Sequence, residues 1–328
     1  MKNDDDMRLE TEESLVIQVE EPVLKKKESI RLWCRHIFTL DVTSNEKHHF
    51  PIFIIIMSIL HISIHLTKYI NILWRGQLFS DSLTDLLFFN IPCMRPTAYD
   101  LRMRIVSCRS AIQNTVCYYD DQLKKFCFSF LYPHQLWRMI TVNLVHISWL
   151  HLSSNLSRQI LCGILLERKY GSILIIIVYW LSELGASLSS MLIDSRIPGI
   201  GSSGALYGVL IFFLMERLST MKANSGHRIY IVVQLLLLVG IPMTIGVSIL
   251  FILKINAAHS AHIGGGSVGF LFGIGMFGCP CLCTNEHGYY QMICRRTAFA
   301  ILFLYFIISF IIFFHIEAPL DPWISFEF

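Results

Sequence analysis

The sequence predicts an all-α polytopic membrane protein. Three observations lead there. Hydrophobic residues make up 54% of the 328-residue chain and charged residues only 16%, a balance that soluble domains rarely show. The apolar residues gather in seven runs, near 50–73, 138–166, 171–192, 202–215, 229–253, 257–278 and 297–315, most of them long enough to be read as membrane helices. Basic residues fall in short loops that alternate with nearly uncharged ones, as the positive-inside rule requires.

Taken in order, residues 1–49 are polar, with "DDD" and "ETEE" ahead of "LKKK". Their acidic content argues against a mitochondrial transit peptide, and no early apolar stretch suggests a cleaved signal. They read as a flexible cytosolic tail. The core is expected over 50–278. Its first helix (50–73) is followed by a loop, 74–137, holding Cys93, Cys108, Cys117 and Cys127, where disulfides can form in an oxidising compartment. The loops "ERKYG", "ERLSTMKANSGHR" and "CRRT" carry the basic residues, which puts them and the N terminus in the cytosol. The 74–137 loop is also basic yet falls outside; long loops follow the charge rule poorly. Residues 279–296 form a cytosolic loop with "CPCLC" (Cys279, Cys281, Cys283). Zinc sites want CxxC pairs, and this stretch has none; reversible palmitoylation is the better functional reading. Residues 297–328 supply a seventh helix and a short lumenal or extracellular tail. The net charge of +3 gives no argument for nucleic acid.

The fourth run, "GSSGALYGVLIFFLM", is unusual. It is followed at once by Glu216 and Arg217, so as an apolar span it measures about 22 Å against a bilayer core of roughly 30 Å. With Glu216 at one surface, Ser203 is expected below the other, a depth at which an irregular polar helix start must be enclosed by protein or reached by water. In the sixth run, "AAHSAHIGGGSVGFLFGIG", His262 lies at a matching depth. Gly265, Gly269 and Gly273 follow it at i+3, i+7 and i+11, on one face. The fourth run offers Gly204 and Gly208, four apart. Stacked small residues let membrane helices approach closely, which would bring the Ser203 hydroxyl to the His262 imidazole, and a serine becomes a nucleophile when an adjacent base takes its proton. The bland alternative, glycine faces that only pack and a satisfied histidine, fits either helix alone but not their conjunction. In the second run His146, His151 and Asn155 fall in the outer half of a helix; His151 and Asn155 share a face and can donate to a developing oxyanion. For His146 an interhelical hydrogen bond is the preferred reading.

Trp137-Arg138, then His146 and His151-x-x-x-Asn155, then Gly163, Leu166, Glu167, Tyr170 and Gly171, then Gly201-x-Ser203-Gly204 with Tyr207, then Ala261-His262-x-x-Gly265-x-x-x-Gly269 resemble, in that order, the rhomboid family of intramembrane serine proteases. The resemblance covers about 137–273. It implies a six-helix rhomboid core plus one C-terminal transmembrane helix, as in the secretase-type branch with metazoan-like topology. It implies a Ser203–His262 dyad and an oxyanion hole from His151, Asn155 and the Ser203 amide. Tyr207 would stack on His262, and Trp137-Arg138 would belong to a membrane-embedded first loop. No metal or organic cofactor is implied; the partners would be the lipid bilayer and single-pass transmembrane substrates whose ectodomains are released. The membrane would be one of the secretory pathway: Golgi, plasma membrane or endosome. The chain departs from the family pattern at Leu174, where a basic residue is usual, and at Glu183, where glycine is. The family's dyad works without a carboxylate, which disfavours a catalytic role for Glu183. His259, one turn from His262, competes as the base. Two rivals remain: a catalytically silent rhomboid-like protein that binds client transmembrane helices, against which the presence of both Ser203 and His262 argues, and a seven-helix receptor or transporter.

Overall fold

The computed structural model describes residues 48–75, 87, 91–107, 116–127, 134–193, 200–223, 228–241, 244, 259–279 and 288–318. Among them the chain is almost entirely helical, and five helices are long and apolar enough to cross a membrane. The 1–47 part of the tail, residues 245–253 of the fifth run, Cys108, Cys281, Cys283 and the end of the chain lie outside the described residues.

Helix α1 (Ile52–Arg75) begins where Glu167 receives its first amides: Phe53 N–H donates to Oε1 at 2.7 Å and Ile54 N–H to Oε2 at 2.9 Å. A carboxylate at a helix start satisfies orphan donors and complements the helix dipole. Short helices α2 (Ile91–Met94) and α3 (Tyr99–Arg102), an antiparallel pair β1 (Ile105–Ser107) and β2 (Val116–Tyr118), and α4 (Tyr119–Phe126) form a small unit between α1 and the rest. Its core is Cys93, Val106, Tyr119, Leu123 and Cys127, and a Cys93–Cys127 disulfide closes it. Cys117 is also disulfide-bonded.

In this unit Asp120 lies 2.5 Å from Arg102 Nε and 2.7 Å from Lys124 Nζ. Burial by itself would raise the pKa of Asp120, but the hydrogen bonds and charges of Arg102 and Lys124 outweigh it and hold the carboxyl below its ordinary value. A carboxyl depressed in the folded state stabilises the fold above its unfolded pKa, and that contribution is lost as pH falls through the folded value. Amide protection over residues 116–126, measured against the intrinsic exchange rate at each pH, is therefore expected to be flat from pH 7 to about 5 and to fall below about pH 4. Asp120→Asn should abolish that acid-dependent step.

The second apolar run is not one helix. Arg138–Thr141 (α5) and a 3₁₀ turn, Val142–Leu144, lead to a break; α6 (Trp149–Arg158) starts only after Ser148, whose Oγ accepts the His151 amide at 3.2 Å. A π-turn, Gln159–Gly163, joins α6 to α7 (Ile164–Tyr170). His146 therefore lies in the break, not in the helix with His151 and Asn155. The cause is local: Ser148 supplies a side-chain cap, and the backbone upstream turns to meet Gly201, whose N–H donates to Val142 O at 3.2 Å.

Helix α8 (Ser172–Ile193) is central and mostly buried. Helix α9 (Ser203–Ala223) runs past Met215, which corrects the expectation that the charged pair ends the span. Glu216 and Arg217 are buried, 1% and 2% exposed. Glu216 bonds to Arg217, accepts from Lys169 Nζ at 2.9 Å and Tyr170 OH at 3.1 Å, and meets Thr220 at 3.2 Å. Paired and hydrogen-bonded, these charges are tolerated inside the bundle. At about 31 Å the helix as a whole is long enough to cross, with Ser203 at its first residue.

Helix α10 (Arg228–Leu235) ends in a π-turn, Leu236–Gly240; α11 (His259–Phe277) and α12 (Gly288–His315) complete the bundle. The last helix starts at Gly288, inside the segment expected to be loop. Helices α8, α9 and α11 pack tightest. Gly265 lies against the Gly204 carbonyl and Gly269 against the Gly208 carbonyl, with Gly273 facing Met215. Gly264 turns instead to Gly185 and Ser189 of α8. On the outside, α12 leans on this trio: Tyr305 OH donates to Gly185 O at 2.8 Å. Its opposite side (Phe303, Ile311, Phe314) is exposed, as is much of α1 (Ile56, Ile59). Apolar belts of this kind need lipid around them.

Candidate active site

The α9–α11 glycine contact has a chemical consequence. Close approach of the two backbones brings side chains at the same level together, and Ser203, the first residue of α9, lies with its Oγ 2.9 Å from His262 Nε2, one turn into α11. The His262 ring is stacked on Tyr207, with centroids 4.1 Å apart and planes 9° from parallel. Tyr207 follows Ser203 by one turn, so the same helix that carries the hydroxyl also holds the imidazole face. Both Ser203 and His262 are partly exposed.

The neighbouring serine is different. Ser202 is fully buried, with Oγ 3.4 Å from His146 Nε2. His146 also makes edge contacts with His61 and His151, each at 5.2 Å. No solvent reaches this second Ser–His pair. His259 is exposed, and its ring centroid is 6.5 Å from that of His262; the nitrogen beside Ser203 belongs to His262.

Gly201 has φ +98°, a conformation that glycine adopts without strain. The lack of a side chain matters as much. A β-carbon there would lie 2.7 Å from His151 Cε1, 3.0 Å from His151 Nε2 and 3.3 Å from Asn155 Nδ2. The α6 side chains therefore close directly on the backbone that leads into Ser203. Asn155 is 1% exposed, and its Nδ2 is a buried donor with no partner among the described residues. Its amide cannot be turned round freely, because Oδ1 accepts from Arg158 Nη2 at 3.2 Å, while Arg158 is itself tied to Ser154 Oγ at 2.7 Å and Ser154 O at 3.1 Å. An unanswered, oriented donor beside a hydroxyl–imidazole pair is what an oxyanion would fill.

The structure thus brings together Ser203, His262, Tyr207, Gly201, His151 and Asn155, with Gly204, Gly265 and Gly269 as the packing that makes it possible. Trp137 and Arg138 stand elsewhere, in the segment joining the disulfide-closed unit to α6: Arg138 is fully buried, and its Nε donates to Gln135 Oε1 at 2.8 Å. Among the described residues no cluster of three or more metal-ligand side chains occurs. Arg158 went unremarked in the sequence, although an arginine inside an apolar run was itself a signal. That Asn143 would answer Glu183, to whose Oε2 its Nδ2 donates at 2.8 Å, carried no signal at all.

Residues 133–279 match the family model described as Rhomboid domain. Over those residues the chain is a rhomboid domain. It is an integral membrane protein with the all-α polytopic fold of that family. RHOMBOID-like protein 1 of Arabidopsis thaliana is 30% identical over 163 residues, 49% of this chain and 38% of the relative. Rhomboid-related protein 2 of Mus musculus is 28% identical over 149 residues, covering 44% of this chain and 49% of the relative. Inactive RHOMBOID-like protein 8 of Arabidopsis thaliana is 35% identical over 77 residues, 24% and 22% of the two chains. The chain spans less than half the length of each of these three relatives. Rhomboids are mostly intramembrane serine proteases, and some members are inactive.

Proposed function

We propose that this rhomboid is an intramembrane serine endopeptidase that cuts transmembrane segments of single-pass proteins and releases their ectodomains. The observation that carries the reading is the accessible Ser203 Oγ–His262 Nε2 contact of 2.9 Å. In the first step the Ser203 oxygen bonds to the scissile carbonyl carbon while His262 Nε2 takes the hydroxyl proton. The tetrahedral oxyanion accepts hydrogen bonds from Asn155 Nδ2, from His151 carrying its proton on the ring nitrogen nearest Gly201, and from the Ser203 amide. Collapse breaks the C–N bond, and His262 returns the proton to the leaving amine. Water then attacks the acyl-serine with His262 again as base, freeing the carboxylate product and Ser203.

The silent, client-binding alternative draws on the relative named inactive. A pair placed within hydrogen-bond reach and open to solvent argues against it here. The proposed setting is a membrane of the secretory pathway with the N terminus in the cytosol, supported by the alternation of basic loops. Co-expression with a panel of tagged single-pass proteins tests the reading: ectodomain release by the native chain and not by Ser203→Ala supports it, and equal release by both would reject it.

The oxyanion assignment makes its own prediction. Asn155→Ala is expected to lower kcat by about 10²- to 10³-fold with little change in KM. Arg158→Met, which frees the amide to rotate, should give a smaller loss of the same kind. Purified enzyme and a fluorogenic transmembrane peptide provide the measurement.

A further inference from the structure

Glu183 sits within α8, 2% exposed. A carboxyl at that depth is costly unless its acceptors are answered. Its Oε2 accepts two hydrogen bonds, from Asn143 Nδ2 at 2.8 Å and from the Ala205 amide at 3.2 Å. Ala205 is in the first turn of α9, whose amides have no acceptor within their own helix, and Ser203 opens that turn. Gly204 lets α8 close on this turn: a β-carbon there would run into Ala186 Cβ, while Glu183 Oε2 stands at an ordinary contact distance of 3.7 Å.

Asn143 is no looser than its partner. Its Oδ1 lies 3.0 Å from His61 Nε2 and accepts from Tyr179 OH at 2.9 Å. Tyr179 OH reaches Gln159 Oε1 at 3.3 Å, and Gln159 Nε2 donates to Ser58 Oγ at 2.9 Å. The chain of bonds therefore runs from α1 through the π-turn and α8 to the start of α9. Next to Asn143, Val142 O holds the Gly201 amide, so the segment preceding the nucleophile is pinned from the same turn.

We propose that Glu183 is a positioning residue for Ser203: through the Ala205 amide and Asn143 it fixes where the first turn of α9 stands relative to His262. This rests on the reading of Ser203 as nucleophile. Glu183 touches neither Ser203 Oγ nor the His262 ring and is not a catalytic residue. It acts by denying the helix end the freedom to rotate, and a 1 Å misplacement of a reacting group can cost about 10²-fold in rate. What matters is an acceptor atom at one point in space, not a charge. Glutamine can place its carbonyl oxygen on both donors; aspartate keeps the charge but falls one carbon short; methionine fills the volume and accepts nothing.

The test uses the full chain in detergent or liposomes. It reads the fluorophosphonate labelling rate, kcat and KM for Glu183→Gln, Glu183→Asp and Glu183→Met. We expect Glu183→Gln to keep labelling and kcat within about threefold, Glu183→Asp to lose about tenfold, and Glu183→Met about 100-fold, with KM near the native value throughout. Labelling by Glu183→Met within about threefold of native, or Glu183→Asp faster than Glu183→Gln, overturns the proposal. Should Glu183→Met yield no folded protein, the order of Gln and Asp decides. Failure of the protease reading looks different: the native chain would then label no faster than Ser203→Ala.

Discussion

Ser203→Ala and His262→Ala are each expected to abolish proteolysis and fluorophosphonate labelling, while Ser202→Ala and His259→Ala should keep most of both. In serine hydrolases, loss of the nucleophile or its base costs roughly 10⁴- to 10⁶-fold in rate, and the two losses are not additive, because each disables the same proton-coupled attack. The double variant should therefore be no worse than either single one. The geometry separates the adjacent candidates sharply. Ser202 faces His146 at 3.4 Å with no exposure, whereas Ser203 faces His262 at 2.9 Å and is partly open to solvent. Neither a fluorophosphonate nor a peptide can enter the first pair. His259 is exposed and a ring away from the reacting nitrogen. Single-turnover labelling of purified variants measures this directly. Labelling that survives in Ser203→Ala and vanishes in Ser202→Ala would transfer the assignment to the buried pair.

The second large effect comes from a single methyl group. Gly269→Ala puts a β-carbon 2.7 Å from Gly208 Cα and into its carbonyl. Backbone atoms cannot swing aside as a side chain can, so α9 and α11 must separate. Overpacking of this sort costs about 1–3 kcal/mol of stability. Activity should suffer more, by about 10²-fold, because the separation falls directly on the distance between Ser203 and His262. Gly266→Ala, three residues before it on the same helix, is the control. Its β-carbon would meet only Ile211 Cγ1, at 3.7 Å, an ordinary contact, and replacing a helical glycine gains about 0.5–1 kcal/mol. Thermal unfolding and kcat on the pair decide the matter: activity lost in Gly269→Ala and kept in Gly266→Ala is expected, and equal behaviour would mean that the close approach is not what aligns the dyad.

Much of the site was readable along the chain because its signals are local. Spacing of three, four and seven residues is enough to place Gly265, Gly269 and His262 on one face of a helix and Ser203, Gly204 and Tyr207 near the start of another. Small residues in an apolar run then have few uses besides close helix contact. The same reasoning failed at Met215. Glu216 and Arg217 look like a membrane boundary in sequence, yet Lys169, Tyr170 and Thr220 answer the carboxylate inside the bundle and the helix continues. It failed again at His146, since a run of apolar residues does not reveal that Ser148 will cap a helix of its own.

What the sequence determined by itself is the class of protein and the two glycine faces, one carrying Ser203 and the other His262, because each follows from periodicity or residue type within one helix. What only the tertiary structure decided is which polar groups answer one another across distant segments. Glu183 looked like an unexplained cost until Ala205 and Asn143, 22 and 40 residues away, turned out to share its oxygen. Arg158 acquired its meaning from the orientation it imposes on Asn155, whose free donor then faces Gly201. Inside a bilayer a buried polar atom must find its partner within the protein. Which partner it finds depends on how the helices pack, and no pattern along a single helix records that.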